Sequence, residues 1–564
     1  MFNKYVKFIL FIILIYVKPS DAQQWIKYFG GTLEDKAYAI TTDDQNYVYI
    51  GGYTTVENQG TDFYLVKINP ISGNTVWSRT YNGPASQDDK VYAITVDREN
   101  NIYVAGFSTG IGTGTDMTVI KYSPSGSRRW IGTYNSTTNG DDVAYDVAVD
   151  DSFNVYITGF VTLTGTDMYL AKFNSGGVYQ WGRFYGGTKN LDDKAYAIQI
   201  DDLDNIYIGG YTKNNGTRAD FTAIKYNRIT GDELWAGKYD GPLHFDDVAV
   251  CMVLSESGHL YLSGSGNRDS SGDTEDFLTV KVNTENGDTI WVRSFNGSGG
   301  KTDKVYAITV YKQENTYITG FVTAANNMDH HALNQNFMTI KYSPEGNMLW
   351  NTSYDTNFNN EIAKGLCLSS SGDYLFVTGS TRKGNDPDSQ DIATVKYDAL
   401  SGEQLQVSII KGSGNGEDDA TSILLDTSDN TYLAGYMTTI NRGLDLIAAK
   451  YQDGNLIEVK NISTNVPNNF TLYQNYPNPF NPSTTIKFDV VKQGTVNLVI
   501  YDILGRLVKT LADGELVAGN YNIIWNGKDN YGNSCSSGIY FYQLLSKNES
   551  SQRMSITKKM VLTK

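Results

Sequence analysis

Pairs of acidic residues recur along the chain, each at the start of a short run rich in small side chains. Clustered carboxylates are typical ligands of hard cations, so the pairs are candidate Ca²⁺ ligands. Alternatively, one Asp in each repeat caps a turn or bonds the neighbouring repeat. The regular recurrence favours this structural interpretation, and we expect neither a cofactor nor a metal, with Ca²⁺ the one candidate. The pairs are Glu34-Asp35, Asp88-Asp89, Asp141-Asp142, Asp192-Asp193, Asp246-Asp247 and Asp418-Asp419.

Three polar segments, 265–276, 321–336 and 380–391, are the second set of candidate functional residues. They occupy the same place in three consecutive repeats and are longer there than in the other repeats. Binding residues usually sit on loops at one face of a rigid scaffold, although polar loops also tolerate insertions that have no function. We predict that the three loops form a binding rim. Its candidate residues are Arg268, Asp269, Asp273, Asp329, His330, His331, Asn334, Arg382 and Asp386.

The elements that must position these residues come from one repeated unit, first seen in residues 35–77. It contains four short runs rich in Tyr, Val and Ile, and Gly, Asn and Asp separate them. Alternation with a period of two predicts half-buried strands, and the separating residues predict turns. A Lys in the third run recurs at spacings of 54, 51, 53, 56, 60, 55 and 54 residues. Such a period predicts an all-β fold, a propeller of about eight four-stranded blades, with seven plus a degenerate unit as the alternative.

The order of the strands within a blade follows from residue size. The run DKAYAI has the smallest side chains, so we assign it to the crowded innermost position, where the acidic pairs would ring one mouth of the central channel. A Gly such as Gly52 follows each second strand, which predicts either an unusual φ or a close approach of backbone. Asp62 and Lys67 are five residues apart and point to opposite faces of the third strand, so they are not expected to pair.

Residues 25–451 resemble the SBBP-type β-propeller repeat of secreted bacterial proteins. The motifs that carry the resemblance are Asp-x-x-Tyr-Ala-Ile, Asn-x-Tyr-x-x-Gly, Asp-Phe/Met and Lys-Tyr/Phe. The resemblance implies a fold and no particular activity. Unit seven departs most, because it has Asn359-Asn360-Glu361 where the other units have an acidic pair, and unit eight lacks the Trp.

The closure of the ring has two candidate solutions. The sequence QWIKYF at the start of the array looks like an outermost strand without inner strands before it. Unit eight supplies three strands, and its following run, 455–462, has no Trp. We predict that Trp25 belongs to the outermost strand of the last blade, and the alternative is that 455–462 fills that place.

Residues 1–22 have the pattern of a secretory signal peptide: a basic start, a ten-residue apolar run and small residues at the end. We therefore expect an exported protein without a membrane span, composed of a propeller in 23–464 and a C-terminal β-sandwich in 465–564. The net charge of −16 argues against nucleic-acid binding, and we expect a monomer.

The last hundred residues end the period and resemble the C-terminal sorting domain of type nine secretion cargo. Flagellar hook-capping Ig-like domains share its Trp-Asn-Gly-x-Asp and Ser-Gly-Ile-Tyr elements. The resemblance implies an Ig-like sandwich that an outer-membrane translocon recognises, followed by release or attachment to the cell surface. The motif residues are Pro477, Asn478, Pro479, Phe480, Asn481, Pro482, Gly505, Arg506, Trp525, Gly538, Tyr540, Lys558 and Lys559.

Two functions are compatible with the sequence. The first is a secreted or cell-surface propeller without catalysis that binds a glycan or protein ligand, or is structural. The second is a glycoside hydrolase or lyase with acidic residues facing a central pocket, which for hydrolysis needs two carboxylates about 5–9 Å apart. The repeated Asp residues single out no such pair, so the first function is preferred. An acidic residue that broke the repeat inside the channel would favour the second.

Overall fold

The predicted runs of Tyr, Val and Ile are β-strands in the computed structural model. It describes residues 25–563 except 187–190, 204, 214–217, 240–245, 268–273, 325–334, 357–359, 383–389, 415, 441–442, 452–459, 464–468, 492–493, 517–518, 530–533 and 549–552. The two middle strands of each blade are buried on both faces, whereas outer strands such as Thr75–Tyr81 alternate exposed and half-buried residues. The chain divides into two units: Gln24–Pro467 with Gly519–Ile523, and Asn468–Ala518 with Ile524–Lys564.

In each of the first seven blades the strands run from the innermost to the outermost in chain order. The first strand of the chain is β1 (Trp25–Phe29). Blades one to four contain β2 (Asp35–Thr42), β3 (Val48–Val56), β4 (Gly60–Ile68), β5 (Thr75–Tyr81), β6 (Asp89–Val96), β7 (Ile102–Thr109), β8 (Thr115–Tyr122), β9 (Arg128–Tyr134), β10 (Val143–Val149), β11 (Val155–Thr162), β12 (Thr166–Phe173), β13 (Tyr179–Tyr185), β14 (Lys194–Ile200), β15 (Asn205–Lys213), β16 (Ala219–Asn227) and β17 (Glu233–Tyr239).

The remaining blades repeat the pattern. Blades five to eight contain β18 (Asp247–Leu254), β19 (His259–Asn267), β20 (Glu275–Asn283), β21 (Thr289–Phe295), β22 (Lys304–Val310), β23 (Thr316–Thr323), β24 (Gln335–Tyr342), β25 (Met348–Tyr354), β26 (Ile362–Leu368), β27 (Tyr374–Arg382), β28 (Gln390–Asp398), β29 (Gln404–Ile410), β30 (Asp419–Leu425), β31 (Thr431–Thr439) and β32 (Gly443–Tyr451). Innermost strands of successive blades are in contact all around the ring, including β30 with β2. The predicted eight-bladed, all-β propeller is therefore confirmed for the described residues.

The ring closes through its first strand. The last blade has the order β1-β32-β31-β30, and β1 pairs antiparallel with β32 so that Trp25 lies opposite Lys450. The Trp25 ring is 3% exposed, and its Nε1 donates to the Pro70 carbonyl at 3.3 Å. The prediction that Trp25 joins the two ends of the array is confirmed.

The recurring Lys and Trp hold one blade to the next. The Lys67 ammonium and the Trp77 indole both donate to the Pro124 carbonyl of the following blade, at 3.5 and 3.1 Å. The same convergence occurs at four further interfaces, with acceptors Pro70, Thr284, Pro344 and Ala399. As predicted, Lys67 does not pair with Asp62; its ion pair is with Asp43 at 3.2 Å.

The acidic pairs have the structural role that their regularity favoured. The buried Asp89 carboxylate accepts the backbone N–H of Gly83 at 2.5 Å and of Thr109 at 2.9 Å. Its neighbour Asp88 accepts the N–H of Thr61 in the preceding blade at 3.0 Å. One carboxylate therefore ties the turns around its own blade, and the other ties two blades together.

The C-terminal sequence contributes the strands of two further four-stranded sheets, of the order β33-β38-β35-β34 and β37-β36-β39-β40. Their strands are β33 (Lys460–Ser463), β34 (Thr471–Leu472), β35 (Thr484–Val490), β36 (Gly494–Asp502), β37 (Leu507–Leu516), β38 (Gly519–Trp525), β39 (Gly538–Asn548) and β40 (Arg553–Leu562). This is the predicted small sandwich. The domain boundaries predicted at 22/23 and 464/465 lie outside the described residues.

Three of the motif residues, Phe480, Trp525 and Tyr540, pack in the core of the C-terminal unit, and most of the others are exposed. The fully buried Trp525 packs against Phe480 and Tyr540, with ring centroids 5.4 and 5.2 Å apart. The Pro-Asn-Pro-Phe segment is fixed to the last strand, because Phe480 N–H donates to the Val561 carbonyl and Asn478 Oδ1 accepts the Val561 N–H. In the described part of the chain, no helix has the length and apolar character to cross a membrane.

Candidate functional site

A β-bulge in every inner strand determines which side chains line the axis of the propeller. In β2 the residues Ala37 and Ala39 pair with adjacent residues of β3, so Tyr38 between them is left out of the ladder. The bulge brings backbone close to Gly52, where an added Cβ would lie 1.9 Å from the Lys36 carbonyl oxygen. Close approach of backbone, one of the two predicted reasons, therefore explains the recurring Gly. Bulges commonly redirect a side chain beside a functional site.

The bulged residues of blades one to four form a continuous row of tyrosines, which we call the tyrosine row. Tyr38 contacts Tyr92, Tyr92 contacts Tyr145, and Tyr145 stacks on Tyr196, with centroid separations of 5.3, 5.5 and 5.0 Å. Blades five to eight have Val250, Tyr306, Lys364 and Thr421 at the bulge. Half of the axial wall is therefore aromatic and mutually packed, and the other half is mixed.

A second set of contacts, the lysine–aromatic belt, joins blades eight and one, one and two, and three and four at the mouth where the inner strands begin. Lys90 lies over the Tyr53 ring of the preceding blade, 5.0 Å from its centroid. Lys36 lies over Tyr436, and Lys194 lies over Phe160, each at 4.5 Å. These cation–π contacts join neighbouring blades.

The belt is interrupted on both sides of blade six. Towards blade five, Ser265 stands where the regular blades place the aromatic residue, and towards blade seven, Ile362 stands where they place the lysine, so Phe321 of blade six has no lysine over it from that position. Ser380 of blade seven also replaces an aromatic residue, on the side of blade eight. Lys304, which corresponds to Lys90, forms an ion pair with Glu275 at 3.1 Å instead.

A cavity of ≈ 530 Å³ opens at this interruption, and we call it the blade-six cavity. Its walls include Lys301, Lys304, Tyr306, Phe321 and Ile362. A partly apolar pocket of this volume with a few polar groups is typical of small-ligand sites.

Most of the predicted rim lies outside the described residues: Arg268, Asp269, Asp273, Asp329, His330, His331, Asn334 and Asp386. Arg382 is described; it ends β27 opposite Gln390, and its carbonyl accepts the Thr356 hydroxyl at 3.1 Å. Thr274 and Gln335, which directly follow two gaps in the described chain, line the blade-six cavity. The sequence reasoning missed Lys301, Lys304 and Tyr306, although an alignment of the repeats would have shown the loss of aromatic partners at Ser265 and Ser380.

A second cavity, also of ≈ 530 Å³, lies at the opposite ends of the inner strands of blades five to seven, and Ser255, Tyr311 and Ser369 are in its wall. Regular blades have a buried Asp at this turn position, such as Asp43, which accepts the Tyr49 hydroxyl at 2.8 Å.

Blade six supplies a substitute for the missing Asp at this end. Glu314 accepts hydrogen bonds from Lys281 at 2.8 Å and from Ser257, and its carboxylate lies 2.5 Å from His259 Nδ1. Burial opposes ionisation of Glu314, but these hydrogen bonds outweigh it and lower its pKa to about 2. These contacts tie blade five to blade six.

Two acidic residues break the repeat on the inner strands. Asp146 stands where most other blades have Ala; burial raises its pKa to about 6, although its carboxylate accepts the N–H groups of Ile198 and Val147 at 2.9 and 2.8 Å. Asp418 accepts the N–H groups of Gly412 and Thr438 as Asp89 does for its own turns, so Asp419 stands at the position of Lys36 and the predicted pair Asp418-Asp419 is out of register with the other pairs. Asp419 forms an ion pair with Lys364 and accepts the Tyr436 hydroxyl at 3.3 Å. Within the described residues, no group of three or more His, Cys, Asp or Glu side chains is placed to hold a metal ion.

Comparison with known families supports both parts of the fold. Residues 24–58 and 76–112 match the SBBP β-propeller repeat, and residues 483–550 match the FlgD Ig-like domain. The expected resemblance to the propeller repeat is therefore found in the first two repeats, and the resemblance to a type nine sorting domain stays a prediction. No significant match was found among curated proteins.

Several solved structures are similar to the chain at low identity. BamB from Moraxella catarrhalis is 11% identical, with 76% of this chain and 98% of that chain covered and a TM-score of 0.40. The quinohemoprotein alcohol dehydrogenase ADHIIG from Pseudomonas putida HK5 is 12% identical, with 77% of each chain covered and a TM-score of 0.49. The polysaccharide lyase Uly1 is 9% identical, with 66% of this chain and 93% of that chain covered and a TM-score of 0.41.

Proposed function

We propose that this protein is an exported, non-catalytic propeller that binds a glycan or protein ligand at the face holding the blade-six cavity. The observation that carries the proposal is the opening of a cavity where the lysine–aromatic belt stops. The contacts that recur from blade to blade are explained by the need to connect neighbouring blades. This need does not explain an exposed Tyr306 and a redirected Lys304 beside a cavity of ≈ 530 Å³.

A glycan array screened with the purified chain, together with hydrolysis and lyase assays on the same glycans, tests this proposal. We expect binding that Tyr306→Ala abolishes, without release of products. The matched control is Tyr196→Ala in the tyrosine row, which should reduce stability more than it reduces binding. If neither the array nor affinity capture of extracellular proteins yields a ligand sensitive to Tyr306→Ala, the binding function is wrong.

Export is assigned to the two ends of the chain. The predicted signal peptide, residues 1–22, would direct the chain across the inner membrane, and residues 465–564 would present the sorting motif to the outer-membrane translocon. The fixed position of Asn478 and Phe480 on the last strand supports a preformed recognition surface.

Deletion of 465–564 tests the assignment of export. The truncated chain should keep a folded propeller but accumulate in the periplasm, which fractionation and immunoblotting would show. Normal amounts of the truncated chain in the medium or at the cell surface would contradict it.

An enzyme acting on glycans is the second candidate, and Asp146 is the observation that favours it. An acidic residue does break the repeat there, and its raised pKa of about 6 suits a general acid. However, both of its hydrogen bonds are to backbone N–H groups, and Asp419 is paired with Lys364. Product release from any array glycan that Asp146→Asn abolishes would establish the enzyme and refute the non-catalytic proposal.

A further inference from the structure

The blade-six cavity combines an aromatic ring with amino groups, in a protein whose net charge is −16. We infer that the cavity binds an acidic saccharide, a short sugar chain that carries carboxylate or sulfate groups. This inference rests on the proposed binding function and names the class of ligand.

Tyr306 supplies a ring face for the sugar. In blades one to four the bulged tyrosines cover one another, whereas Tyr306 has Val250 and Lys364 at the neighbouring bulges and is 39% exposed. Its nearest aromatic partner is Phe321 of its own blade, with centroids 6.2 Å apart. An uncovered ring with a hydroxyl at its edge can pack against the C–H face of a sugar and donate a hydrogen bond to it.

Lys304 and Lys301 supply the charge. Ser265 removes the aromatic partner that a lysine at this position has in the regular belt, so Lys304 is directed to Glu275 in a partly exposed ion pair. The Lys304 side chain is 43% exposed, so its ammonium can also bind a ligand carboxylate or sulfate as a further partner beside Glu275. Lys301 is exposed at the edge of the same cavity.

The polar groups around the cavity suit the hydroxyls of a sugar. The Gln335 amide provides both donors and an acceptor, and Thr274 provides a hydroxyl. The volume of ≈ 530 Å³ is in the range of small-ligand pockets, which favours a short oligosaccharide or the end of a longer chain over a duplex nucleic acid. The acidic body of the protein repels a polyanion elsewhere, so the lysines also select the site.

Calorimetric titration of the purified full chain tests the inference. The probes are oligogalacturonate, oligoalginate and chondroitin sulfate oligosaccharides, with neutral oligosaccharides of the same length and a single-stranded oligonucleotide for comparison. We expect at least one acidic saccharide to bind about tenfold more tightly than its neutral counterpart, and the preference to shrink at high salt.

Matched variants locate the site. The double variant Lys301→Gln/Lys304→Gln should lose the preference for the acidic saccharide, and Lys304→Arg should retain it. Tyr306→Leu should weaken the binding of acidic and neutral saccharides by the same factor. Lys90→Gln, at the corresponding position of blade two, is the control and should bind as the parent chain does. Thermal melts show whether each variant is folded.

The outcomes separate the inference from the proposed function. If neutral saccharides bind with equal affinity, or if the double variant does not change the binding, the inference of an acidic ligand is wrong. The proposed binding function of the propeller would still stand. Binding of the oligonucleotide alone, or of none of these probes, also overturns the inference. If none of these probes binds, the glycan array and the affinity capture of extracellular proteins decide whether the proposed binding function is right.

Discussion

Blades one to four and blades five to seven use the same backbone with different side chains at three places. At the bulge, the packed tyrosine row is replaced by Val250, Tyr306 and Lys364. In the belt, Ser265 and Ser380 replace aromatic residues. At the opposite end, Ser255, Tyr311 and Ser369 replace a buried Asp, and both cavities open in these three blades. The comparison indicates that repeated contacts stabilise the ring and that the departures from repetition coincide with the two cavities.

The largest effect should come from breaking a repeated contact. Trp25→Ala removes a buried indole at the closure of the ring and should lower the free energy of unfolding by about 3–5 kcal/mol. Ligand affinity of the folded fraction should not change. Denaturant unfolding measures the first quantity and titration measures the second.

Leu456→Ala, in the segment considered as the alternative closing strand, is the contrast for Trp25→Ala. It should have a much smaller effect on stability. Equal effects of the two substitutions would refute the assignment of ring closure to Trp25.

A smaller effect on stability should come from Asp146, the residue that departs from the repeat within blades one to four. A carboxyl whose pKa is raised from 3.8 to about 6 binds its proton more tightly in the native state, so its contribution to stability decreases as the pH rises from about 4 to 6 and stays low above that. Asp146→Asn keeps an acceptor for the Ile198 N–H without the charge, and should stabilise the protein by about 1–3 kcal/mol at pH 8 but not at pH 3. Thermal melts across this range are the measurement; a gain that did not depend on pH would contradict the interpretation.

The smallest effect on stability should come from making blade five regular. Ser265→Phe restores the aromatic partner of Lys304 and should stabilise the fold by about 0.5–1 kcal/mol through a cation–π contact. The new ring would occupy space beside the blade-six cavity, so the affinity for a ligand there should fall by about tenfold or more. Ser265→Ala is the control and should change neither quantity much. Unchanged affinity in a folded Ser265→Phe protein would show that the ligand binds elsewhere.

The architecture was predictable because the same pattern of strand and turn residues recurs in eight units of the sequence. The period gave the blade count, the small residues of DKAYAI indicated the inner strand, and the unmatched Trp25 indicated the closing strand. The candidate site was less predictable, because it depends on contacts between blades. Nothing in a single repeat shows that Lys90 rests on Tyr53 of the preceding blade, so the meaning of Ser265 beside Lys304 was hidden. The prediction from loop length selected the rim residues, and among them only Arg382 lies in the part of the chain that the structure describes.

The pairing of β1 with β32 has a consequence for the kinetics of folding. Its two strands lie at opposite ends of the repeat array, so their pairing has the largest sequence separation of any in the ring, and contacts of that kind form slowly. Until they meet, the last blade has three strands and an unpaired edge, which another chain could pair with. A circular permutant that starts at Asp35 and joins Trp25–Phe29 behind β32 would make the last blade a local meander. Such a permutant should fold faster and aggregate less, with the same final contacts.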